Sequence, residues 1–142
     1  MQNQQLKVRK FINALPEKIF DAWIQPEQLK KWWGPEGIEC SDAKFDLQQG
    51  GKYHINNQLP DGKEILIYGE FLTIDRPNKL TFTWKTDPGT NDTGLVTVRF
   101  IAKSNGTEVI INHKKITSDE AFKSHKHGWI GCLEGLNSYF QN

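Results

Sequence analysis

The side chains in this sequence that could do chemistry are few and scattered. Its four histidines are His54, His113, His125 and His127. His113 is in phase with Val109 and Ile111 on an alternating stretch, which turns it inward. His125 falls on the apolar side of a helical stretch, and His127 points to the opposite side. Residues two apart on a helix do not converge, so His125-Lys126-His127 is not a metal-binding set. His113 and His125 together could act as a polar handle or a proton shuttle; the plainer alternative is one or two hydrogen-bonded core histidines. Asp46 and Glu70 stand beside inward residues and so point outward by strand alternation. There is no paired-acid, Ser-His-Asp, Cys-His, phosphate-loop or metal-ligand constellation, so no metal or cofactor is expected. Lys30-Lys31 and Lys114-Lys115 read as solvated charges. Cys40 and Cys132 have neither CxxC nor metal spacing and read as small buried thiols, not a disulfide.

Two further groups of residues carry information. The aromatic set comprises Trp23, Trp32, Trp33, Phe45, Tyr53, Phe71, Phe82, Trp84, Phe100 and Trp129. Periodicity alone makes it a core rich in large side chains; the functional alternative is an aromatic-walled pocket. The closing helical segment also holds Gly128, Gly131 and Gly135, each about 1 kcal/mol less favourable than alanine in a helix interior. At 100° per residue they lie together on one flank of the apolar stripe. Either that flank packs closely against the sheet edge or a second subunit, or the missing side chains widen a cavity mouth.

The elements that must position these residues follow from the pattern. Leu6 to Ile12 alternates as a first strand. Pro16 opens a helix carrying Ile19, Phe20 and Trp23, and Pro26 ends it; a second short helix, Glu27 to Trp33, stops at Gly34-Pro35. From Ile38 the period becomes two. Phe45 and Leu47 share one strand and Tyr53 and Ile55 the next, with Gly50-Gly51 between them. Asp61-Gly62 signals a hairpin before the run Glu64 to Ile74, and Arg76-Pro77-Asn78 a turn before Leu80, Phe82 and Trp84. A polar loop, Pro88 to Thr93, leads to Val96, Val98 and Phe100. Asn105-Gly106 reads as a type I′ hairpin before the return strand through Thr107, Val109, Ile111 and His113. Ser118 caps a long amphipathic helix running to Phe140, whose apolar face holds Phe122, His125, Trp129, Cys132, Leu133, Leu136, Tyr139 and Phe140. Hairpin-joined strands with one covering helix describe an α+β fold on an antiparallel sheet.

Composition excludes several function classes. The formal net charge of +1 and the lack of a basic run interleaved with aromatics argue against nucleic-acid binding. The segment Met1 to Lys10 has no apolar core, so neither a signal peptide nor membrane insertion is expected, and a cytoplasmic location is the default. Asn91-Asp92-Thr93 and Asn105-Gly106-Thr107 match the glycosylation sequon, which carries nothing without secretion. With 142 residues and no repeat or linker, residues 1–142 read as one domain.

Several passages carry a family resemblance. They are Ala14-Leu15-Pro16-Glu17 leading into Phe20-Asp21-Ala22-Trp23, then Pro26-Glu27-Gln28-Leu29 and Lys31-Trp32-Trp33-Gly34-Pro35. Phe45-Asp46-Leu47 before Gly50-Gly51, Gly69-Glu70-Phe71, Pro77 through Trp84, and Gly128-Trp129 with Leu133 and Leu136 complete them. In these the chain resembles the activator of heat-shock-protein-90 ATPase homologues, a branch of the START-like (SRPBCC) helix-grip proteins. The resemblance implies a curved antiparallel sheet of about six or seven strands wrapped around the long C-terminal helix, with two short helices after the first strand. It also implies a cavity between sheet and helix that takes a small apolar molecule. The residues expected to line it are Trp32, Phe45, Tyr53, Phe71, Phe82 and Trp84, with Val98, Phe100, His113, His125, Trp129 and Leu133. Passive binding of a hydrophobic or aromatic ligand, without turnover, is the leading expectation. A cavity enzyme of the START-like cyclase type, with His113 and His125 as its first candidates, is the second. Stimulation of a chaperone's ATPase is the third, and the absence of the namesake's additional domain counts against it. An exposed apolar patch at Trp32-Trp33 would favour the chaperone role and a buried pair would count against it.

Overall fold

The computed structural model describes residues 4–89 and 93–141. Asn91 and Asp92 of the first sequon, part of the Pro88 to Thr93 loop, and Met1 to Asn3 of the N-terminal segment fall outside them. Strand β1 (Gln4–Ile12) buries Leu6, Val8 and Ile12 on one side, as alternation requires. Helix α1 (Pro16–Ile24) begins on proline, whose missing N–H is no loss in a first turn, and buries Ile19, Phe20 and Trp23. The residue before a proline favours extended backbone, and Gln25 at φ −99°, ψ 114° ends α1 and precedes α2 (Pro26–Trp32). The expected second helix is thus present, shifted by one residue at each end. Trp33 is already extended, and Gly34 at φ +95° turns the chain towards the sheet.

Six strands follow: β2 (Glu39–Phe45), β3 (Lys52–Gln58), β4 (Glu64–Asp75), β5 (Lys79–Asp87), β6 (Gly94–Lys103) and β7 (Gly106–Ile116). Every neighbouring pair is antiparallel, and the seven strands run in the order β1-β7-β6-β5-β4-β3-β2. β1 and β2 are therefore the two edges, and α1 and α2 form the connection between them. Helix α3 (Asp119–Tyr139) lies over the apolar face, its first turn capped by the Ser118 side chain, which accepts from the Ala121 N–H at 3.0 Å. Trp129, Cys132, Leu133 and Leu136 are its buried residues, and β1 carries its main contact. This is the helix-grip arrangement.

Two local expectations are corrected. Leu47 does not continue the strand of Phe45: β2 stops there, and Leu47 is 43% exposed in the turn before Gly50. The Asn105-Gly106 hairpin is not type I′. Lys103 pairs with Gly106, so Ser104 and Asn105 form the loop, and neither Asn105 nor Gly106 has a positive φ. Glycine at 106 answers a close approach, because a Cβ there would sit 2.5 Å from the Phe11 ring and 2.6 Å from the Ile12 carbonyl oxygen. No helix among the described residues is long and apolar enough to cross a membrane.

Candidate functional site

The apolar faces of β3, β4 and β5 converge on an aromatic cluster. Tyr53 lies 5.5 Å from Phe71 and 5.4 Å from Phe82 by ring centroids, and Phe45 meets Phe71 at 6.1 Å. The Tyr53 hydroxyl donates to the Thr83 carbonyl oxygen at 2.6 Å, and burial pushes its pKa upward. The space left between these rings, Ile55, Trp33 and Trp23 is only about 10 Å³, room for one water at most. Here the aromatic residues fill the fold.

A second cluster surrounds Trp129. Its ring is 5.0 Å from Trp84, 5.7 Å from Trp33 and 6.3 Å from Trp23. Beside it opens a cavity of about 200 Å³, walled by Trp33, Ile38, Ile65, Ile67, Trp84, Trp129 and Cys132. Strand alternation explains the β4 wall, because Ile65 and Ile67 share a parity. It also brings Asn57 inward, in phase with Tyr53 and Ile55 on β3; its side-chain oxygen accepts from the Trp33 indole N–H at 3.0 Å. The helical side is Ser124, His125, His127 and Gly128, where α3 has not yet become fully buried. The three glycines separate here. A Cβ on Gly128 would meet nothing within 4 Å, whereas one on Gly131 would lie 2.5 Å from Pro35 Cβ and one on Gly135 2.3 Å from the Trp32 carbonyl oxygen. Gly131 and Gly135 let α3 press on the Trp32–Pro35 segment of its own chain. Gly128 leaves the cavity open.

A smaller annex of about 50 Å³ adjoins the cavity, and Trp84, Thr86 and His125 border both. His113 and Gly94 lie in its wall. The His113 ring stacks on His125 at 4.4 Å, and its Nδ1 accepts from the Trp129 indole N–H at 3.1 Å. Burial, with the neighbouring His125, pushes the His113 pKa down to about 3, and burial lowers that of His125. His113 is therefore neutral near pH 7, and with Nδ1 accepting, its proton sits on Nε2, beside Gly94. Among the described residues the buried Trp84 indole N–H has no hydrogen-bond partner, a condition that costs about 1–3 kcal/mol when nothing answers it.

The twelve residues named from the sequence thus occupy different places. Phe45, Tyr53, Phe71 and Phe82 wall the small inner space; Trp84, His125 and Trp129 wall the larger cavity; His113 stands in the annex. Val98, Phe100 and Leu133 are packed interior residues. Trp32 is 3% exposed, donates its indole N–H to the Ala22 carbonyl oxygen at 3.0 Å, and borders an open groove beside Gly135 and Tyr139. Ile38, Asn57, Ile65, Ile67 and Thr86 had not been named. The parity of Ile65 with Ile67 and of Asn57 with Tyr53 was the signal for three of them. His127 is exposed, yet it borders the cavity mouth next to Gly128. His54 lies on the outer face of β3, 3.0 Å from Asp42. Both cysteines are free thiols, and burial pushes the Cys132 pKa up to about 12.

Comparison with known proteins adds to this geometry. Residues 13–141 match the family model described as activator of Hsp90 ATPase homolog 1-like protein. Among solved structures, a Chromobacterium violaceum protein superposes with a TM-score of 0.86 at 22% identity, covering 97% of both chains. An AHSA1-like protein from Aeromonas hydrophila gives 0.82 at 22% identity over 97% of this chain and 92% of the other. A Staphylococcus aureus protein described as being of unknown function gives 0.80 at 18% identity over 99% and 94%. At these identities the likeness is one of fold. Among curated proteins no match is found.

Proposed function

The chain belongs to the family of activator of Hsp90 ATPase homolog 1-like proteins, and from that premise we propose that it binds a small hydrophobic or aromatic molecule in the cavity beside Trp84, Trp129 and Gly128. The observation that carries this reading is the half-open, mainly apolar space of about 200 Å³ over which α3 places no side chain at Gly128. Drug-sized ligands occupy sites of roughly 300–1,000 Å³, so the fitting ligand is small, of one-ring size. Covering ~300 Å² of apolar ligand surface contributes roughly 7 kcal/mol at ~25 cal/mol per Å². Association costs offset much of this, leaving affinities between micromolar and millimolar.

Passive binding fits the site better than turnover. A general base works best with a pKa near the operating pH, and His113 is held near 3 with its Nδ1 engaged by Trp129. A chaperone role is less well supported, because Trp32 and Trp33 are 3% and 6% exposed and present no apolar patch. The test is a titration of tryptophan fluorescence with one-ring aromatic compounds, with Gly128→Leu as the blocking variant. We expect saturable changes in the wild type and at least roughly tenfold weaker binding in Gly128→Leu, whose side chain enters the mouth. Equal affinity in the two proteins would remove the cavity as the site.

A further inference from the structure

We propose that the molecule held in this cavity is an uncharged aryl carbonyl compound whose carbonyl oxygen accepts a hydrogen bond from the side-chain amide of Asn57. The inference rests on the binding reading above and names the ligand's polar group and the residue that selects it.

Asn57 lines the cavity from β3, where its parity with Tyr53 and Ile55 turns it inward. It pairs with Ile65 on β4, and Ile67 pairs with Thr86 on β5. Asn57 therefore stands on the β3 flank of the floor made by Ile65 and Ile67, and Thr86 on the opposite flank. Trp33 fixes which way the amide points. An indole nitrogen only donates, so the Asn57 atom 3.0 Å from it must be the oxygen, and Nδ2 with its two N–H groups is the other end. No described residue accepts from Nδ2. It is not sealed either: among the described residues the buried polar atoms without a partner are Trp84 Nε1 and Asn112 Oδ1 alone. The Asn57 amide nitrogen is thus a donor of fixed orientation, open to an incoming group, on a wall that is otherwise mainly apolar.

The chemistry of the remaining walls decides what that group is. No aspartate, glutamate, lysine or arginine lines the cavity, and burial favours the neutral form of His125. An ionised head would give up hydration here without meeting a counter-charge. A hydroxyl at Asn57 would bring a proton of its own, and the Asn57 oxygen is already engaged by Trp33. A carbonyl oxygen only accepts, which is what a free N–H requires. The ring attached to it then lies over Ile65 and Ile67, in a space of about 200 Å³.

Acetophenone and α-methylstyrene test the proposal, because they share a shape and differ in C=O against C=CH2. Proton–nitrogen NMR titrations at pH 7.5 give Kd for both, in the wild type and in Asn57→Asp. That variant keeps an oxygen for the Trp33 indole but loses both N–H groups. Comparing the ketone-to-hydrocarbon affinity ratio between the two proteins cancels each ligand's own hydration. Loss of the hydrogen bond, with a carboxylate facing the carbonyl, should lower that ratio by about tenfold or more while α-methylstyrene still binds. In the wild type the Asn57 side-chain amide protons should move downfield with acetophenone and not with α-methylstyrene. Should Asn57→Asp fail to fold, these wild-type resonances decide. A ratio that stays within roughly twofold in a folded variant leaves the cavity as a site and overturns the carbonyl seat at Asn57. If neither compound binds the wild type, the binding reading falls and this inference falls with it.

Discussion

The three glycines of α3 share a helix but not an environment, and alanine substitution turns that difference into opposite signs of stability. In a helix interior, glycine to alanine contributes about 1 kcal/mol through propensity alone. At Gly128 nothing lies within 4 Å of the new methyl group, so Gly128→Ala should stabilise the protein by about that full amount. At Gly131 the methyl carbon would stand 2.5 Å from Pro35 Cβ and 2.6 Å from its Cα. Overpacking of this kind costs about 1–3 kcal/mol, so the net effect falls between zero and a loss of about 2 kcal/mol. At Gly135 the obstruction is the Trp32 backbone carbonyl at 2.3 Å, which cannot rotate aside, so that variant belongs at the unfavourable end. Urea unfolding followed by far-ultraviolet circular dichroism measures all three, with an unchanged m-value confirming comparable transitions. For a chain of this length 1 kcal/mol moves Tm by roughly 4 °C, so Gly128→Ala and Gly135→Ala should separate by about 12 °C. If Gly128→Ala destabilises, or if the three variants shift together, the assignment of an open mouth at Gly128 and close packing at Gly131 and Gly135 is refuted.

Two further outcomes follow from the buried junction of Trp129 and His113. Between the unfolded His113 pKa of about 6.5 and the folded value of about 3, the unfolded chain binds a proton that the folded protein does not, so stability is highest above pH 6.5 and falls as pH drops through this window. At pH 4.5 the loss amounts to about 2–3 kcal/mol; urea midpoints at pH 7.5 and 4.5 should show it, and His113→Phe should show a smaller acid loss by that margin. Trp129→Ala should cost about 3–5 kcal/mol, since Trp129 is 2% exposed and holds three tryptophan rings and the His113 acceptor together. A loss under about 1 kcal/mol with abolished ligand uptake would instead make Trp129 a cavity wall with no core role.

Strand parity made most of the fold legible. Leu80, Phe82 and Trp84, and then Val96, Val98 and Phe100, alternate in the sequence and are all buried on the face that α3 covers. The helices could be read as well, because prolines at 16 and 26 and the Ser118 cap mark their starts in local chemistry. The site was less legible, for a reason that parity cannot touch. Inward orientation says that Tyr53, Phe71 and Phe82 face the interior, but not whether their rings meet or leave space. They meet, at 5.4 and 5.5 Å for the Tyr53 pairs, and the space lies one step along the sheet, beside Ile65, Ile67 and Trp84. The misread turn at Asn105-Gly106 has a similar origin, since the demand for glycine there comes from Phe11, almost a hundred positions away.

The location of the space follows from how α3 is held. From Trp129 onward its inner residues Trp129, Cys132, Leu133 and Leu136 are all buried, while before it Phe122 and His125 are only half-buried. Gly131 and Gly135 bring the C-terminal half into backbone contact with the segment from Trp32 to Pro35, so that half cannot move outward without losing close packing. The N-terminal half is not anchored in this way on the β4–β5 side: its residues along the cavity are Ser124, His125, His127 and Gly128, too small or too polar to fill the gap above Ile65, Ile67 and Trp84. A larger apolar residue at Ser124, His125 or Gly128 would close the cavity by the same packing that closes the inner space beneath Trp33. The cavity therefore exists because the apolar stripe of α3 lapses for one turn above Ile65, Ile67 and Trp84.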